Sequence, residues 1–297
     1  MDGSGLMWIG KAILLLQLIP GILGWGKDGH YTVCKIAQEY LSEDASLAVK
    51  ELLPDSAQGD LASVCSWADE VRFHLHWSGP LHYVDTPDFR CNYNYSRDCH
   101  NSAGQNNMCV TGAINNYTMQ LMSAYKDSDM ESKYNLTEAL MFLSHLIGDV
   151  HQPLHVGFTG DEGGNTIIVH WYRRKTNLHH VWDNMIIESA VKMFYGSDLS
   201  MMIQAIQRNI TDGWSDDILP WESCSLDRTA CPDPYASESI KLACKFAYRN
   251  ATAGSTLEDD YFLSRLPVVE KRLAQGGVRL AATLNRIFMS QPSISQE

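Results

Sequence analysis

From Asn135 to Val150 the apolar spacing predicts a helix that has almost no solvent face. Ala139, Leu140, Phe142, Leu143, Leu146 and Ile147 point to nearly every side of it. Asn135 and Glu138 stand as a capping box at its start. Such a helix has to run through the middle of a fold, with other helices around it. Yet it carries His145 and Asp149 in its last turns, and a buried carboxylate needs strong compensation.

His145 and Asp149 lie four residues apart, so they share one helix face. The spacing recurs in His179 and Asp183, on a helix that Asn177 caps. His155 follows the helix-breaking Pro153. The ordinary reading of either pair is a buried His–Asp hydrogen bond. Two pairs together with His155 favour metal instead, because neutral imidazole and carboxylate are good zinc ligands and these five exceed what one ion needs. His151 and His180 point away from the two shared faces and have packing or supporting roles. Asp60 caps a further helix with Leu61, Val64, Cys65, Ala68, Asp69 and Arg72 along one face. Taken alone, Asp69–Arg72 reads as a surface salt bridge, His82 as a solvated loop histidine, Trp25 as core and His30 as a capping residue.

Helical periodicity continues over 28–42, 108–125, 196–212, 234–250 and 256–288. One hairpin starts at the β-rich Thr166–Tyr172 after Gly163-Gly164. With no linker, repeat or charge block, the expectation is one mostly α domain over 25–288. Lys11, the apolar run from Ala12 to Ile19, Pro20-Gly21 and small Gly24 read as a secretory signal peptide spanning 1–24. Residues 289–297 read as a flexible or removable tail. No later run reaches about 18 uncharged apolar residues, so no transmembrane helix is expected.

Eight cysteines downstream of that leader suggest four disulfides. Close spacing suggests Cys99–Cys109 and Cys224–Cys231. Cys34–Cys65 would tie two N-terminal helices and leave Cys91–Cys244, although spacing alone does not fix the connectivity. Glycosylation sequons at Asn94, Asn116, Asn135, Asn209 and Asn250 fit the secretory pathway, with an extracellular or vacuolar destination. A net charge of −12 argues against a general basic nucleic-acid binder. It leaves room for a phosphate-directed site in which bound cations dominate the local field. Eleven histidines make an acidic working compartment plausible.

Several motifs occur in order: Trp25-Gly-x-x-Gly-His30, Trp67-Ala-Asp69, Leu81-His82-Tyr-Val-Asp85, Ser144-His145-x-x-Gly-Asp149-x-His-Gln-Pro-Leu-His155, Gly163-Gly164-Asn165 and Asn177-Leu-His179-x-x-Trp-Asp183. Together they resemble the trinuclear-zinc nucleases of plants and fungi, single-strand-specific endonucleases with 3′-nucleotidase activity, and most closely the plant bifunctional type. The resemblance runs from Trp25 to about Phe288. It implies a fold shared with bacterial zinc phospholipase C and three Zn²⁺ ions. One ion would be held by Asp69, His82, His145 and Asp149. A second would be held by His30, a bridging Asp149, and the α-amine and carbonyl of Trp25 once cleavage follows Gly24. The third would be held by His155, His179 and Asp183.

The resemblance further implies in-line attack of an activated water on phosphorus, leaving 5′-phosphates. Asp69 would orient or deprotonate the water, Arg72 would clamp the phosphate, and Asn184 is a further phosphate candidate. Tyr83 would stack a base while Asp85 accepts its N–H groups, which requires an unpaired base. The expected substrates are single-stranded DNA, RNA and 3′-mononucleotides, acted on by a monomer with no stable membrane association. Two readings compete. A zinc phospholipase C-like phosphodiesterase would carry a lipid headgroup pocket instead, and a non-catalytic zinc-binding protein would bind metal without hydrolysis.

Overall fold

The computed structural model describes residues 25–126, 133–225 and 228–289. The leader reading of 1–24 and most of the 289–297 tail therefore lie outside the described residues. In chain order the helices are α1 (Lys27–Glu39), α2 (Glu43–Leu52), α3 (Trp67–Val71), α4 (Tyr95–Asp98), α5 (Val110–Lys126), α6 (Leu136–His151), α7 (Leu178–His180), α8 (Ile186–Phe194), α9 (Leu199–Arg208), α10 (Ser215–Glu222), α11 (Pro232–Leu242) and α12 (Asp259–Phe288). The strands are β1 (Ile168–Trp171), β2 (Arg174–Asn177) and β3 (Thr256–Leu257).

α6 is the buried axis that its composition demands, with every residue from Ala139 to His151 inside. Asn135 caps it by accepting from the Glu138 N–H. α1, α5, α11 and α12 pack around it. The long α12, 30 residues and about 45 Å at the usual helical rise, also lies along α1. Gly277 permits that approach: a Cβ there would sit 2.5 Å from Ile36 Cγ2. The last carbonyls of α6 are taken up from outside. Ser239 Oγ donates to Val150 O, and Arg272 Nε donates to His151 O at 3.0 Å. The buried Arg272 guanidinium is satisfied in turn by Glu238, Gln275 and Ser239.

The expected hairpin forms, with Trp171 opposite Arg174, but the sheet has a third strand. β3 runs parallel to β1, pairing His170 with Thr256 and Trp171 with Leu257. The sequence had placed 256–257 in a helix. They are strand because the outer edge of β1 needs partners: His170 N–H donates to Ser255 O and Tyr172 N–H to Leu257 O.

The single helix expected after Asp60 is also corrected. Asp60 does cap, accepting from the Ala62 N–H, but it caps a 3₁₀ segment, Leu61–Val64, and α3 starts only at Trp67. The carbonyl of Cys65, which a continuous helix would spend on Asp69 N–H, receives His145 Nδ1 instead, and Asp69 N–H turns to Ser66 O. Wide π turns replace regular helix at Val181–Met185, Asn209–Gly213 and Ala243–Ala247.

Four disulfides join Cys34–Cys65, Cys91–Cys244, Cys99–Cys109 and Cys224–Cys231. They fit an oxidising, extracytosolic environment. The sequon residues Asn94, Asn116, Asn135, Asn209 and Asn250 are all exposed. Among the described residues, no helix is long and apolar enough to cross a membrane.

Candidate metal centre

Six separate segments converge on the buried end of α6. α6 itself presents His145 and Asp149 on one face, with His145 Nε2 3.2 Å from Asp149 Oδ2. α1 brings His30, whose Nε2 lies 3.2 Å from Asp149 Oδ1. The two helices meet over Gly148, where a Cβ would fall 2.8 Å from His30 Nδ1. The 3₁₀ segment His76–His82 ends by pointing His82 Nδ1 at Asp149 Oδ2, 3.0 Å away. His82 is thus fully buried, and the solvated-loop reading does not hold. α3 supplies Asp69, whose Oδ1 is 3.7 Å from both His82 and His145. With His155 Nδ1 at 3.7 Å from Oδ1, Asp149 faces four imidazoles with two oxygens.

The third group lies next to these. His155 comes from the 3₁₀ turn Pro153–Val156 and His179 from α7. Asp183 stands on the following π turn, so the expected single helix is corrected, yet the pair still meets at 3.3 Å from His179 Nε2 to Asp183 Oδ2. Gln152 Nε2 donates to Asp183 Oδ1 at 2.6 Å and so orients it.

The ring tautomers are set from behind. His145 Nδ1 meets Cys65 O at 2.8 Å, His155 Nδ1 meets His82 O at 2.6 Å, and His179 Nδ1 meets Gly163 O at 2.7 Å. Each backbone carbonyl fixes the proton on Nδ1 and leaves Nε2 as a lone pair turned inward. Gly163 makes its carbonyl available through a left-handed turn, φ 61°, where a Cβ would lie 2.4 Å from Leu154 O.

Three groupings, His30/Asp69/His145, His82/His145/Asp149 and His155/His179/Asp183, each bring their ligand atoms within 4.8 Å of one another. Buried polar atoms without a hydrogen-bond partner gather at the same place: both ring nitrogens of His30, His82 Nε2, Asp69 Oδ1 and Asp149 Oδ1. Native interiors rarely leave such atoms unmatched. A nitrogen and carboxylate donor set of this kind fits a cluster of divalent cations.

Without cations the charges conflict. Burial and the neighbouring His145 press His30 down to about 4. Burial also depresses His145, but the Asp149 and Asp69 carboxylates prevail and hold it up at about 9. Burial opposes ionisation of Asp149, yet His145 and His155 keep its carboxyl well below the usual range. Burial drives Asp183 well above it, against the hydrogen bond from Gln152.

Trp25 is fully buried beside Gly29, and Gly26 N–H donates to Asp183 O at 3.0 Å. Arg72 lies 3.9 Å from Asp69 Oδ1, its side chain buried and Nη2 without a partner. Asn184 Nδ2 meets His180 Nδ1 at 3.0 Å, and its Oδ1 abuts Gly26. His151 supports α12, with Nε2 3.0 Å from Arg279 Nη1.

A cavity of about 310 Å³ adjoins the third group, lined by Tyr83, Asp85, Leu154, Glu162, Gly163 and His179. Burial, with Glu162 and Asp161 nearby, pushes Asp85 up to about 7. Cavities of about 490 and 430 Å³ lie at the start of α12 and between α11 and α12, and neither contains a ligand residue. Gln152, Gly148, Leu154 and Glu162 were not singled out from sequence. Gly148, Gln152 and Leu154 left a signal there, as fixed members of the His145–His155 motif, and Glu162 left none.

A sequence model of the S1/P1 nuclease family matches residues 25–289. Endonuclease 4 of Arabidopsis thaliana is 69% identical over 294 residues, 98% of each chain. Endonuclease 1 of the same plant is 50% identical, covering 95% of this chain and 93% of that one. Nuclease S1 of Aspergillus oryzae is 35% identical over 94% of this chain and 96% of its own.

Proposed function

The chain belongs to the S1/P1 nuclease family, and on that premise we propose that it is a zinc-dependent endonuclease of single-stranded DNA and RNA, leaving 5′-phosphates and also removing 3′-phosphates from mononucleotides. The observation that carries the reading is the adjacency of two features through His179, which belongs both to a metal-ligand group and to the wall of the Tyr83/Asp85 cavity. A base held there places its own phosphate beside the ligand cluster.

The proposed zinc ligands are Trp25, His30, Asp69, His82, His145, Asp149, His155, His179 and Asp183. When bound, such ions supply Lewis-acid activation of a water and neutralise charge on the phosphate. The rest falls to side chains of the chain itself. Asp69, buried with a free Oδ1, orients the water and accepts its proton as the oxygen attacks phosphorus. The new P–O bond forms in line with the breaking P–O3′ bond, and O3′ leaves and takes up a proton. Arg72, with its unpaired Nη2, clamps the phosphate oxygens. Tyr83 stacks the base and Asp85 hydrogen-bonds its edge, which a paired base cannot offer without leaving its duplex. The hydrogen bond of Asn184 to His180 makes it a weaker phosphate candidate than Arg72.

The same reading takes residues 1–24 as a leader whose removal frees the Trp25 amine as a ligand, and takes the mature protein as a secretory-pathway monomer. A variant that keeps one extra residue before Trp25 should then bind less zinc and cleave more slowly. The deciding assay compares single-stranded DNA, RNA, a 3′-mononucleotide and phosphatidylcholine at about pH 5.5, with and without a chelator. Chelator-sensitive cleavage to 5′-phosphates is expected. Lipid hydrolysis alone would transfer the protein to a phospholipase C-like activity. No hydrolysis by metal-loaded protein would reduce it to a metal binder.

A further inference from the structure

Phe89 is exposed over 88% of its surface and has φ 62°. Both facts count against a structural role. Arg90 N–H donates to Pro87 O, so Phe89 is the third residue of a tight turn. A positive φ at that position favours Gly or Asn, and a bulky side chain there is strained. Burial does not repay the strain, because the ring is almost wholly in solvent.

The turn is nevertheless held firmly. Asp88 Oδ1 accepts from Gly160 N–H at 2.7 Å, and the adjoining Cys91 is tied to Cys244. The Phe89 ring leans on Phe158 at 5.9 Å between centroids, and Phe158 stacks on Tyr248 at 4.5 Å. One face of Phe89 is thus backed by an aromatic ladder while the other stays open. Beside it stands Arg90, exposed and with no side-chain hydrogen bond or ion pair among the described residues. The only acid within the turn, Asp88, is engaged with Gly160.

The location gives this pair its meaning. The turn continues from Asp85, and its neighbour across the hydrogen bonds, 158–162, runs on to Glu162 and Gly163. Both segments line the 310 Å³ cavity. We propose that Phe89 and Arg90 form an outer nucleotide subsite, in which Phe89 stacks an unpaired base of the substrate strand next to the one in the Tyr83/Asp85 cavity and Arg90 meets its phosphate. The inference rests on the nuclease reading above. Aromatic stacking accepts any base, and a single cation adds a salt-sensitive contact, which together suit a strand read without strict sequence.

The test uses metal-loaded full-length mature protein with Phe89→Gly and Arg90→Gln, each assayed on thymidine 3′-monophosphate, which fills the inner cavity alone, and on a thymidine hexanucleotide. Gly suits the turn, so Phe89→Gly should melt no lower than the parent and bind as much metal. The preference for hexanucleotide over mononucleotide, as a ratio of kcat/KM, should fall about fivefold or more in Phe89→Gly. Arg90→Gln should make the log–log salt dependence of hexanucleotide KM shallower by about 0.7. If the parent cleaves both substrates and the ratio survives Phe89→Gly, the subsite is wrong while the nuclease reading stands. Equal losses on both lengths would make Phe89 a support for the inner cavity and overturn the proposal as well. A parent that cleaves neither substrate overturns the nuclease reading first.

Discussion

His30 lies flat on His145, with ring centroids 3.7 Å apart and planes 17° from parallel. Burial and mutual repulsion oppose both stacked imidazoles being positively charged, and Asp149 reaches both. The stack is therefore a ligand arrangement held together by Asp149. Asp149→Asn should lose more bound metal than His179→Ala, because the Asp149 carboxylate lies within 4 Å of four imidazoles, His30, His82, His145 and His155, and so touches members of all three groupings. Activity should fall about 10²–10³-fold or further. Metal content by elemental analysis checks the order, and equal losses in both variants would count against a bridging role.

The Gln152 side chain reaches the cluster through its hydrogen bond to Asp183. Gln152→Ala should lower metal affinity or activity about 10- to 100-fold, the usual effect of losing a group that orients a ligand. Titration of the metal-free variant with zinc, followed by calorimetry, measures this directly. An unchanged affinity would show that Asp183 needs no orienting partner.

Gly148→Ala sets helix propensity against geometry. In a helix interior, Ala is better than Gly by about 1 kcal/mol, yet the added Cβ would press on His30 Nδ1. The expected result is a lower melting temperature and reduced metal content. A variant that melts higher and retains full metal would mean that His30 yields at little cost.

Asp85 gives the cavity it shares with Tyr83 a pH dependence. Its folded-state value is raised, so the carboxyl stays protonated well above the ordinary range and ionises as pH rises through about 7. Ionisation of the buried group opposes folding, so the associated stability is present below its unfolded value and lost as pH rises through 7. Cations bound in the adjoining group would pull that value down, so in loaded enzyme the inflection should fall below 7. KM for single-stranded DNA should show this inflection in the parent and lose it in Asp85→Asn.

Glu238 behaves in the opposite sense. Burial raises it, but Arg279 and Arg272 outweigh burial and hold it at about 2. A depressed carboxylate stabilises the fold above its unfolded value, and the contribution fades as pH falls towards 2. Glu238→Gln should thus melt below the parent at neutral pH, with the gap closing in acid. Its side chain is 39% exposed, so solvent screening moderates the effect. A gap that persists at about pH 2 would assign the difference to packing.

Spacing made the pairs His145/Asp149 and His179/Asp183 legible, because i, i+4 neighbours face one way on a helix and still do so across the π turn at Val181–Met185. The character of α6 was legible for a similar local reason. His82 was not, since nothing within Leu81–Asp85 reveals that His155 donates to its carbonyl or that α6 covers its ring. The break after Val64 was hidden by an apolar face that runs on unbroken, while its cause, His145, lies 80 residues away. Glu162 reaches the cavity through a left-handed turn, φ 53°, for which its residue type gives no cue. β3 owes its existence to the edge of β1 rather than to its own two residues.

Cys65 joins two kinds of chemistry in one residue. Its sulfur is bonded to Cys34 on α1, and its carbonyl holds the His145 ring. The bridge thus fastens the helix that carries His30 to the backbone that aims His145. This couples thiol oxidation to the geometry of the cluster: until the bridge closes, no covalent tie limits how far the two stacked imidazoles can drift apart. A chain made in a reducing compartment would lack that tie.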